Sequence, residues 1–527
     1  MPCEPPAITF IPCEEHFRPV LPTIEGNVDY LALRGQLKLI DELLGKSGLE
    51  QDFVLRSLKH WIKTLSESAV EQIELSGEGQ GGVIGLEELV SGKKQVRFQK
   101  HSVRALRCTI ARTLLGGSFR DFAARLADSP LLQWFCRVGQ LDRVKVPAKS
   151  TLQRYATWLP QEEMREVING LLRKAGAALE DGKQALELEE PLDLSMMYLD
   201  TTCVKANIHF PVDWVLLRDG VKSLMQSVEL IRTHGLKSRM CEPQELIKKI
   251  NRLSMEMTHT RRKKDSVKER KRVLRQMKKV VVVVRAHAQR YRALLELNWQ
   301  ATDWTRPQAE QVLKRMDLVI EALPAAVKQA HERIIGERLV ANNEKLLSLF
   351  EPDLHVIVRG KAGAEIEFGN LLILGEQSEG LIIDWELFKE QVPADARLVR
   401  PSVERVERGL NLSVKGLVTD RGFDNKTNIK WLQERGTFAG LCRRDPRALR
   451  EAMKDENFAQ AQRRRAQTEA RVAIFKNEFL GRPMRAEGFE NRALQVAWGV
   501  LTHDLWVLAQ KLREQRQIRE KKLREAA

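Results

Sequence analysis

The chain has 527 residues, of which 43% are hydrophobic and 30% are charged. That length exceeds one ordinary hydrophobic core, so two or three domains are expected. Lys and Arg number 87 against 71 Asp and Glu, which gives a formal net charge of +16. This excess favours a polyanionic partner, with nucleic acid first, although charge alone leaves RNA or a membrane surface open.

Several function classes lack their sequence signals. The seven cysteines are scattered without a Cys-x-x-Cys pair, so they are expected to be reduced, mostly packed thiols rather than zinc ligands. No signal peptide is predicted, because the N-terminus carries Glu4, Glu14 and Glu15 among prolines. The apolar run at 280–284 is too short to span a bilayer. The chain has no Gly-x4-Gly-Lys phosphate loop, and its His and Cys residues show no arrangement typical of nucleophilic catalysis. We therefore expect an intracellular protein that acts without ATP.

The N-terminal third is predicted to be helical. Residues 1–27 are Pro-rich and expected to be extended, and apolar residues at three-and-four spacing predict helix over 28–73. A Gly-rich stretch at 77–82 ends this pattern. From 95 to 160 we predict short helices over 103–115 and 131–137, and two more opened by Ser118 and Ser150.

These short helices are compatible with a helix-turn-helix module. In that case Lys149, Gln153 and Arg154 would begin a helix that reads a DNA groove. A small helical domain with a solvated basic face is the alternative interpretation, and the residues alone do not choose between the two.

Strand patterns begin after a linker at 176–194. We predict strands over 196–204, 355–359, 365–374, 380–385, 413–419 and 437–442, and helices over 384–391, 402–408, 425–435 and 463–480. We interpret the order as β-β-β-α-β-α-β-α, with Asp200 on the first strand, Asp420 at the end of the fourth strand and Glu469 on the last helix. This is the ribonuclease H-like order, which brings three distant carboxylates to one sheet edge.

A large helical insertion, residues 215–345, separates the first two strands. Its segment 261–292 holds fourteen Lys or Arg residues against Asp265 and Glu269. We predict that this run contacts DNA phosphates, although a solvated helix face is the alternative. The predicted contacts are Arg261, Arg262, Lys263, Lys264, Lys268 and Arg272. The five valines at 280–284 favour a strand by propensity and so weaken the helix prediction there.

The three acids suit phosphodiester chemistry. In such reactions an oxygen nucleophile attacks while negative charge grows on the leaving oxygen, and two divalent ions about 4 Å apart can stabilise both. Carboxylates are the hard ligands that Mg²⁺ prefers. Each acid also has a structural interpretation: Asp200 and Asp420 as strand-end turn residues, and Glu469 as an exposed partner of Arg465.

At these residues the chain resembles the DDE transposases of bacterial insertion sequences, in the group with a Tyr-x2-Arg-x3-Glu-x6-Lys element on the last helix. Arg465, Glu469 and Lys476 stand at the matching spacing, and Gln462 replaces the tyrosine. Segments 198–217, 416–423 and 481–508 resemble further blocks of these enzymes. Asp213 also matches, but we assign it to turn structure before catalysis. The resemblance covers roughly 100–215 and 350–510.

This resemblance implies an α+β or α/β fold class, with a ribonuclease H-like mixed-sheet catalytic core formed by 195–214 and 346–510. It implies a DNA-end-binding helical domain at 28–175, whereas the basic insertion at 215–345 and a basic tail at 511–527 are predicted from the residues themselves. Asp200, Asp420 and Glu469 would be the catalytic metal ligands, with Mg²⁺ as cofactor and Mn²⁺ as a substitute. Arg465 and Lys476 would hold phosphates near the cut.

The implied activity is cutting at element ends and joining of the freed 3′-hydroxyl to target DNA. The implied partners are double-stranded DNA, both terminal inverted repeats and target, and further copies of the chain in a homodimer or higher synaptic oligomer. No membrane partner is expected, and the implied location is the bacterial cytoplasm, at the nucleoid. The alternatives are a metal-dependent nuclease of the same fold without strand transfer, and a catalytically decayed DNA-binding derivative.

Overall fold

The computed structural model describes residues 20–76, 92–140, 142–177, 186–260, 265–361, 364–392 and 394–526. Over these ranges the protein is a mixed α/β structure, mostly helical, with one six-stranded mixed sheet. No helix within them combines the length and the hydropathy that crossing a bilayer demands. The Gly-rich stretch 77–82, the linker positions 178–185 and the cations at 261–264 lie outside the described residues.

The N-terminal helices follow the predicted order. Ser118 forms the predicted capping box with Asp121. Ser150 does not cap its helix, because that helix begins one residue earlier, after Ala148, and Ser150 therefore lies in its first turn. The helices are α1 (Val28–Lys46), α2 (Leu49–Ser76), α3 (Gly92–Leu115), α4 (Phe119–Asp128), α5 (Pro130–Cys136), α6 (Lys149–Ala156) and α7 (Gln161–Gly176).

The sheet contains the predicted first strand and five later ones. Its strands are β1 (Met196–Lys205), β2 (His355–Lys361), β3 (Ala364–Glu376), β4 (Ile382–Leu387), β5 (Gly416–Thr419) and β6 (Phe438–Leu441). The main order is β2-β3-β1-β5-β6, and β4 pairs with β3. Strand β3 is antiparallel to β1, β2 and β4, whereas β1, β5 and β6 run parallel.

Two sequence predictions about this region were wrong. Residues 384–387 continue β4 instead of starting a helix, because Asp384 is buried and accepts two 2.7 Å hydrogen bonds from Arg405. The strand before Asp420 is the fifth along the chain, not the fourth, because β2, β3 and β4 are three separate strands that pair in one antiparallel group.

The described residues of the insertion form four α-helices: α8 (Asp213–Thr233), α9 (Pro243–Thr260), α10 (Ser266–Asn298) and α11 (Arg306–Ile334). Their apolar faces form a hydrophobic cluster separate from the main core. The valines at 280–284 are helical despite their strand propensity, because Val280, Val281 and Val284 fall on the buried face of α10. Tertiary packing thus overrides local preference here.

The remaining helices are α12 (Val399–Leu410), α13 (Lys426–Glu434), α14 (Pro446–Ala452), α15 (Glu456–Ile474) and α16 (Phe489–Ala526). A π-helical segment, Phe475–Leu480, continues α15. The main core is continuous: it joins the N-terminal helices to the sheet and to α16. Trp498 on α16, for example, donates a 2.9 Å hydrogen bond to the carbonyl oxygen of Ala156. Helices α3 and α6 therefore share one hydrophobic core with the sheet.

Candidate active site

Two of the predicted acids directly follow paired positions of parallel strands. In the register of β1 and β5, Leu199 is the partner of Thr419. Asp200 is the next residue of β1 and Asp420 is the first residue after β5, so both stand at one edge of the parallel part of the sheet. That edge, beyond the carboxyl ends of parallel strands, is where ligands commonly bind in sheets of this kind.

Local hydrogen bonds orient both carboxylates. The backbone N–H of Thr201 donates to Asp200 Oδ1 at 2.8 Å. The backbone N–H of Gly422 donates to Asp420 Oδ1 at 2.8 Å, which makes Asp420 the cap of a short 3₁₀ turn, Arg421–Phe423. Asp420 therefore also has the turn role that sequence alone offered as its alternative. The two roles are compatible, since the second carboxylate oxygen is not used by this bond.

Helix α15 lies across the same face of β1 that carries Asp200. Side chains alternate along a strand, so Tyr198, Asp200 and Thr202 share one face. The guanidinium of Arg464 stacks 4.6 Å from the ring centre of Tyr198, and Lys476 Nζ donates a 2.9 Å hydrogen bond to Thr202 Oγ1. These two contacts fix the helix at positions before and after Asp200.

Gln462 ties the start of the same helix to the other strands. Its Nε2 donates a 2.7 Å hydrogen bond to the carbonyl oxygen of Gly440 on β6, with a longer 3.4 Å contact to that of Thr419. Its Oε1 lies 3.3 Å from Arg465 Nε. The residue that replaces the tyrosine of the resembled motif therefore positions α15 directly above the residue that precedes Asp420.

Glu469 lies on the segment of α15 between these contacts. Its side chain is 57% exposed, and Oε1 is 3.7 Å from a guanidinium nitrogen of Arg465. Arg465 and Glu469 thus contact each other on one face of the helix, as their spacing of four residues predicts. Across the described ranges, no three His, Cys, Asp or Glu side chains are grouped closely enough to hold a metal ion. Asp200 and Asp420 share one edge of the sheet, but Glu469 on α15 is turned to Arg465.

The π-helical segment changes the position of Lys476. In an ideal α-helix over 463–480, Lys476 and Glu469 would lie on nearly the same helix face. From Phe475 onward, however, the helix is π-helical and has more residues per turn. Aromatic side chains of this segment also contact α16. Phe475 and Phe479 pack against His503 of α16, with ring centres 5.7 and 5.1 Å apart.

A fourth acid, Asp395, borders this region and was missed from sequence. Thr201 Oγ1, on the face of β1 opposite Asp200, donates to Asp395 Oδ1 at 3.2 Å. A Cβ built on Gly422 would lie 2.8 Å from Asp395 Oδ2 and 3.0 Å from Asp420 Oδ1. Asp395 thus lies between β1 and the Asp420 turn. The only sequence signal was an acid close before α12, which is not specific.

The predicted DNA contacts fall into three groups. Lys149, Gln153 and Arg154 are all exposed on α6. Lys268 is exposed on α10, but Arg272 is already ion-paired with Glu256 and Glu269. The remaining four are outside the described residues: Arg261, Arg262, Lys263 and Lys264.

Asp213 has a structural role inside the insertion. It is the first residue of α8 rather than a turn residue, and it is buried. Its carboxylate accepts two 3.0 Å hydrogen bonds from Arg333 and one of 2.9 Å from Gln329, both on α11. These contacts close the four-helix insertion next to the strand that carries Asp200.

Comparison of this chain with known protein families, with curated proteins and with solved structures gives no match.

Proposed function

We propose that the protein is a DDE transposase with a ribonuclease H-like catalytic core, which cuts DNA at element ends and joins the freed 3′-hydroxyl to target DNA. One observation carries the proposal. Asp200 and Asp420 follow paired positions on parallel strands, while helix α15, which bears Glu469, is fixed over those strands through Gln462, Arg464 and Lys476.

The donor set fits a hard divalent cation, since the available ligands are carboxylate oxygens at one sheet edge. Asp200, Asp420 and Glu469 would hold Mg²⁺, or Mn²⁺ in its place, and the bound ion supplies charge stabilisation at the attacking and leaving oxygens. For Glu469 this requires that its carboxylate leave Arg465, which an exposed side chain can do by rotation. Arg465 would then be released to bind a phosphate.

The cations of α15 bind and orient the DNA backbone in this proposal. Lys476 is held over β1 by Thr202, two residues from Asp200, so a phosphate bound by its ammonium group would lie beside that acid. The planar guanidinium of Arg465 suits bidentate binding of a phosphate. Orientation of the scissile phosphate relative to the nucleophile is itself a large contribution to the rate of such reactions.

Isosteric variants of the three acids test the proposal. Asp200→Asn, Asp420→Asn and Glu469→Gln should each abolish Mg²⁺-dependent nicking of a plasmid that carries the DNA flanking the gene, while affinity for that DNA stays within about twofold. Asp52→Asn is the matched control, because Asp52 lies on α2 among the N-terminal helices, where its partner is the neighbouring Arg56. Retained nicking in any of the three would remove that residue from the site.

The products distinguish the related functions. Joining of a 3′-hydroxyl end into a second plasmid supports the transposase. Hydrolysis without joining would favour a metal-dependent nuclease of the same fold. Tight DNA binding by the unaltered protein without any cleavage would favour a decayed transposase that retains only end binding.

A further inference from the structure

A cationic cluster surrounds His101 on helix α3, away from the three acids. Arg97, His101 and Arg104 are spaced four and three residues apart, so they share one helix face. Helix α6 packs against this face, and His101 Nδ1 lies 3.0 Å from the Tyr155 hydroxyl. Arg154 precedes Tyr155 and is exposed. We call this set, together with Lys145, the His101 cluster.

Lys145 joins the cluster through the loop that connects α5 to α6. Arg104 Nε donates a 3.1 Å hydrogen bond to the carbonyl oxygen of Arg137 at the start of this loop. The backbone N–H of Lys145 donates at 3.1 Å to the carbonyl oxygen of the next residue, Val138. Two bonds therefore bring the backbone of Lys145 to the part of the loop that Arg104 contacts.

Within the described ranges, none of the cluster's cations, Arg97, Arg104, Lys145 and Arg154, forms an ion pair with a carboxylate. Arg107, one turn further along α3, is different: it is buried and paired with Asp41 and Glu50. Acids thus neutralise Arg107 in the core, whereas the cations of the His101 cluster have no ion-paired acid within the described ranges.

The charges act on His101 itself. Burial, followed by the nearby positive charges of Arg104, Arg97, Lys145 and Arg154, lowers the pKa of His101 below its ordinary value of 6.5. Burial raises the pKa of Tyr155 to about 12, so its hydroxyl stays protonated at neutral pH and can donate to Nδ1. The neutral imidazole then carries its own proton on Nε2, which can serve as a donor to a ligand.

We propose that the His101 cluster binds a backbone phosphate of duplex DNA, and that His101 takes up a proton when it does so. The inference goes beyond the proposed function, because it assigns a binding site and a pH dependence outside the sheet and α15. It shares with that function only the DNA partner. A backbone phosphodiester carries one negative charge, which would lie among these four cations and raise the pKa of the imidazole that their charge had lowered.

The direction of the pH effect follows from linkage. Free His101 is mostly neutral at pH 7, whereas the phosphate-bound state favours the protonated ring. DNA affinity should therefore rise as the pH falls from 7.5 to 5.5, by about tenfold for each unit by which binding raises the pKa. The effect should be largest at low salt, where phosphate contacts are strongest.

Fluorescence anisotropy with a labelled random-sequence 30-base-pair duplex tests this in the full-length protein. His101→Gln should abolish the rise in affinity at low pH. Arg97→Gln and Lys145→Gln should each reduce the slope of log affinity against log salt by about 0.9. Arg306→Gln is the matched control, because it removes one exposed cation on α11 that is paired with Glu310, and should leave both measurements unchanged. Thermal unfolding checks that each variant is folded.

The outcomes separate this inference from the proposed function. A pH dependence that persists in His101→Gln, or salt slopes equal to that of Arg306→Gln, would overturn the cluster while leaving catalysis at the three acids untouched. Tyr155→Phe gives a second check, since loss of the hydroxyl should shift the pH midpoint of binding without removing the cations. Absence of duplex binding at every pH would overturn both proposals.

Discussion

Lys476 Nζ donates a 2.9 Å hydrogen bond to Thr202 Oγ1, and this bond fixes the last helix of the candidate site to the strand that carries Asp200. Thr202 and Asp200 are two residues apart and share one face of β1. A cation from α15's π-helical continuation is thereby placed beside an acid that is more than 270 residues away in sequence.

Substitutions can distinguish the effect of the Lys476 charge from that of its hydrogen bond to Thr202. We expect Lys476→Gln to slow strand cleavage by about 10²-fold, the usual loss when one charge-stabilising donor is removed. Thr202→Val should cost much less, because it removes the acceptor but leaves the ammonium group. Single-turnover cleavage measures both. Equal losses in the two variants would mean that the bond, not the charge, is what matters.

Gly422 lies close to two carboxylates of the candidate site. A methyl group at this position would lie 2.8 Å from Asp395 Oδ2 and 3.0 Å from Asp420 Oδ1. Gly422→Ala should therefore displace Asp420 and reduce cleavage at least tenfold. Gly35→Ala on α1 is the control, since a Cβ there meets nothing within 4 Å; it should leave activity unchanged and raise the free energy of unfolding by up to about 1 kcal/mol, because alanine favours the helix. Full activity of Gly422→Ala would contradict the contact.

We predict that Asp395 positions the site through its hydrogen bond with Thr201, on the face of β1 opposite Asp200. Asparagine can still accept the hydrogen bond from Thr201, whereas alanine cannot. If the bond positions the strand, Asp395→Asn should keep most activity and Asp395→Ala should lose about tenfold, without a change in the Mg²⁺ concentration at half-maximal cleavage. A shift of that concentration in Asp395→Asn would instead show that the negative charge contributes to metal binding.

Asp504 on α16 is predicted to stabilise the fold rather than the reaction. It is fully buried, and its Oδ1 accepts a 2.9 Å hydrogen bond from the backbone N–H of Ile382, beside β4. Asp504→Ala would leave that buried N–H without an acceptor and should lower the free energy of unfolding by about 1–3 kcal/mol. Urea unfolding measures the loss, and an unchanged midpoint would show that the bond contributes nothing.

The charge of Asp504 gives a pH prediction. Burial raises the pKa of this carboxyl above its ordinary value of 3.8, against the opposing effect of His503. A raised folded-state pKa means that stability present at acidic pH is lost as the pH rises through that pKa. Asp504→Asn, which keeps an acceptor but cannot ionise, should therefore gain stability relative to the unaltered protein between pH 4 and 7. Parallel pH profiles would contradict this.

Local patterns in the sequence determined much of the secondary structure. The extent of β1, the capping box of Ser118 and the pairing of Arg465 with Glu469 depend on residues close together in the chain, and each was predictable. The helix at 280–284 was also predicted, although the strand propensity of its valines weakened that prediction, and burial of Val280, Val281 and Val284 explains the outcome. The strand at 384–387 was predicted as the start of a helix, because the contact of Asp384 with Arg405 is not visible in the local pattern.

By itself, then, the sequence determined the basic character of the chain, the order of most elements and the three candidate acids. Only the tertiary structure decided which residues meet. The register of β1 with β5 places Asp200 next to Asp420, and packing of α12 and its preceding turn brings Asp395 to Thr201. The His101 cluster likewise exists only because α3, α6 and the loop between α5 and α6 pack together. These relations depend on contacts between distant segments, which local spacing does not encode.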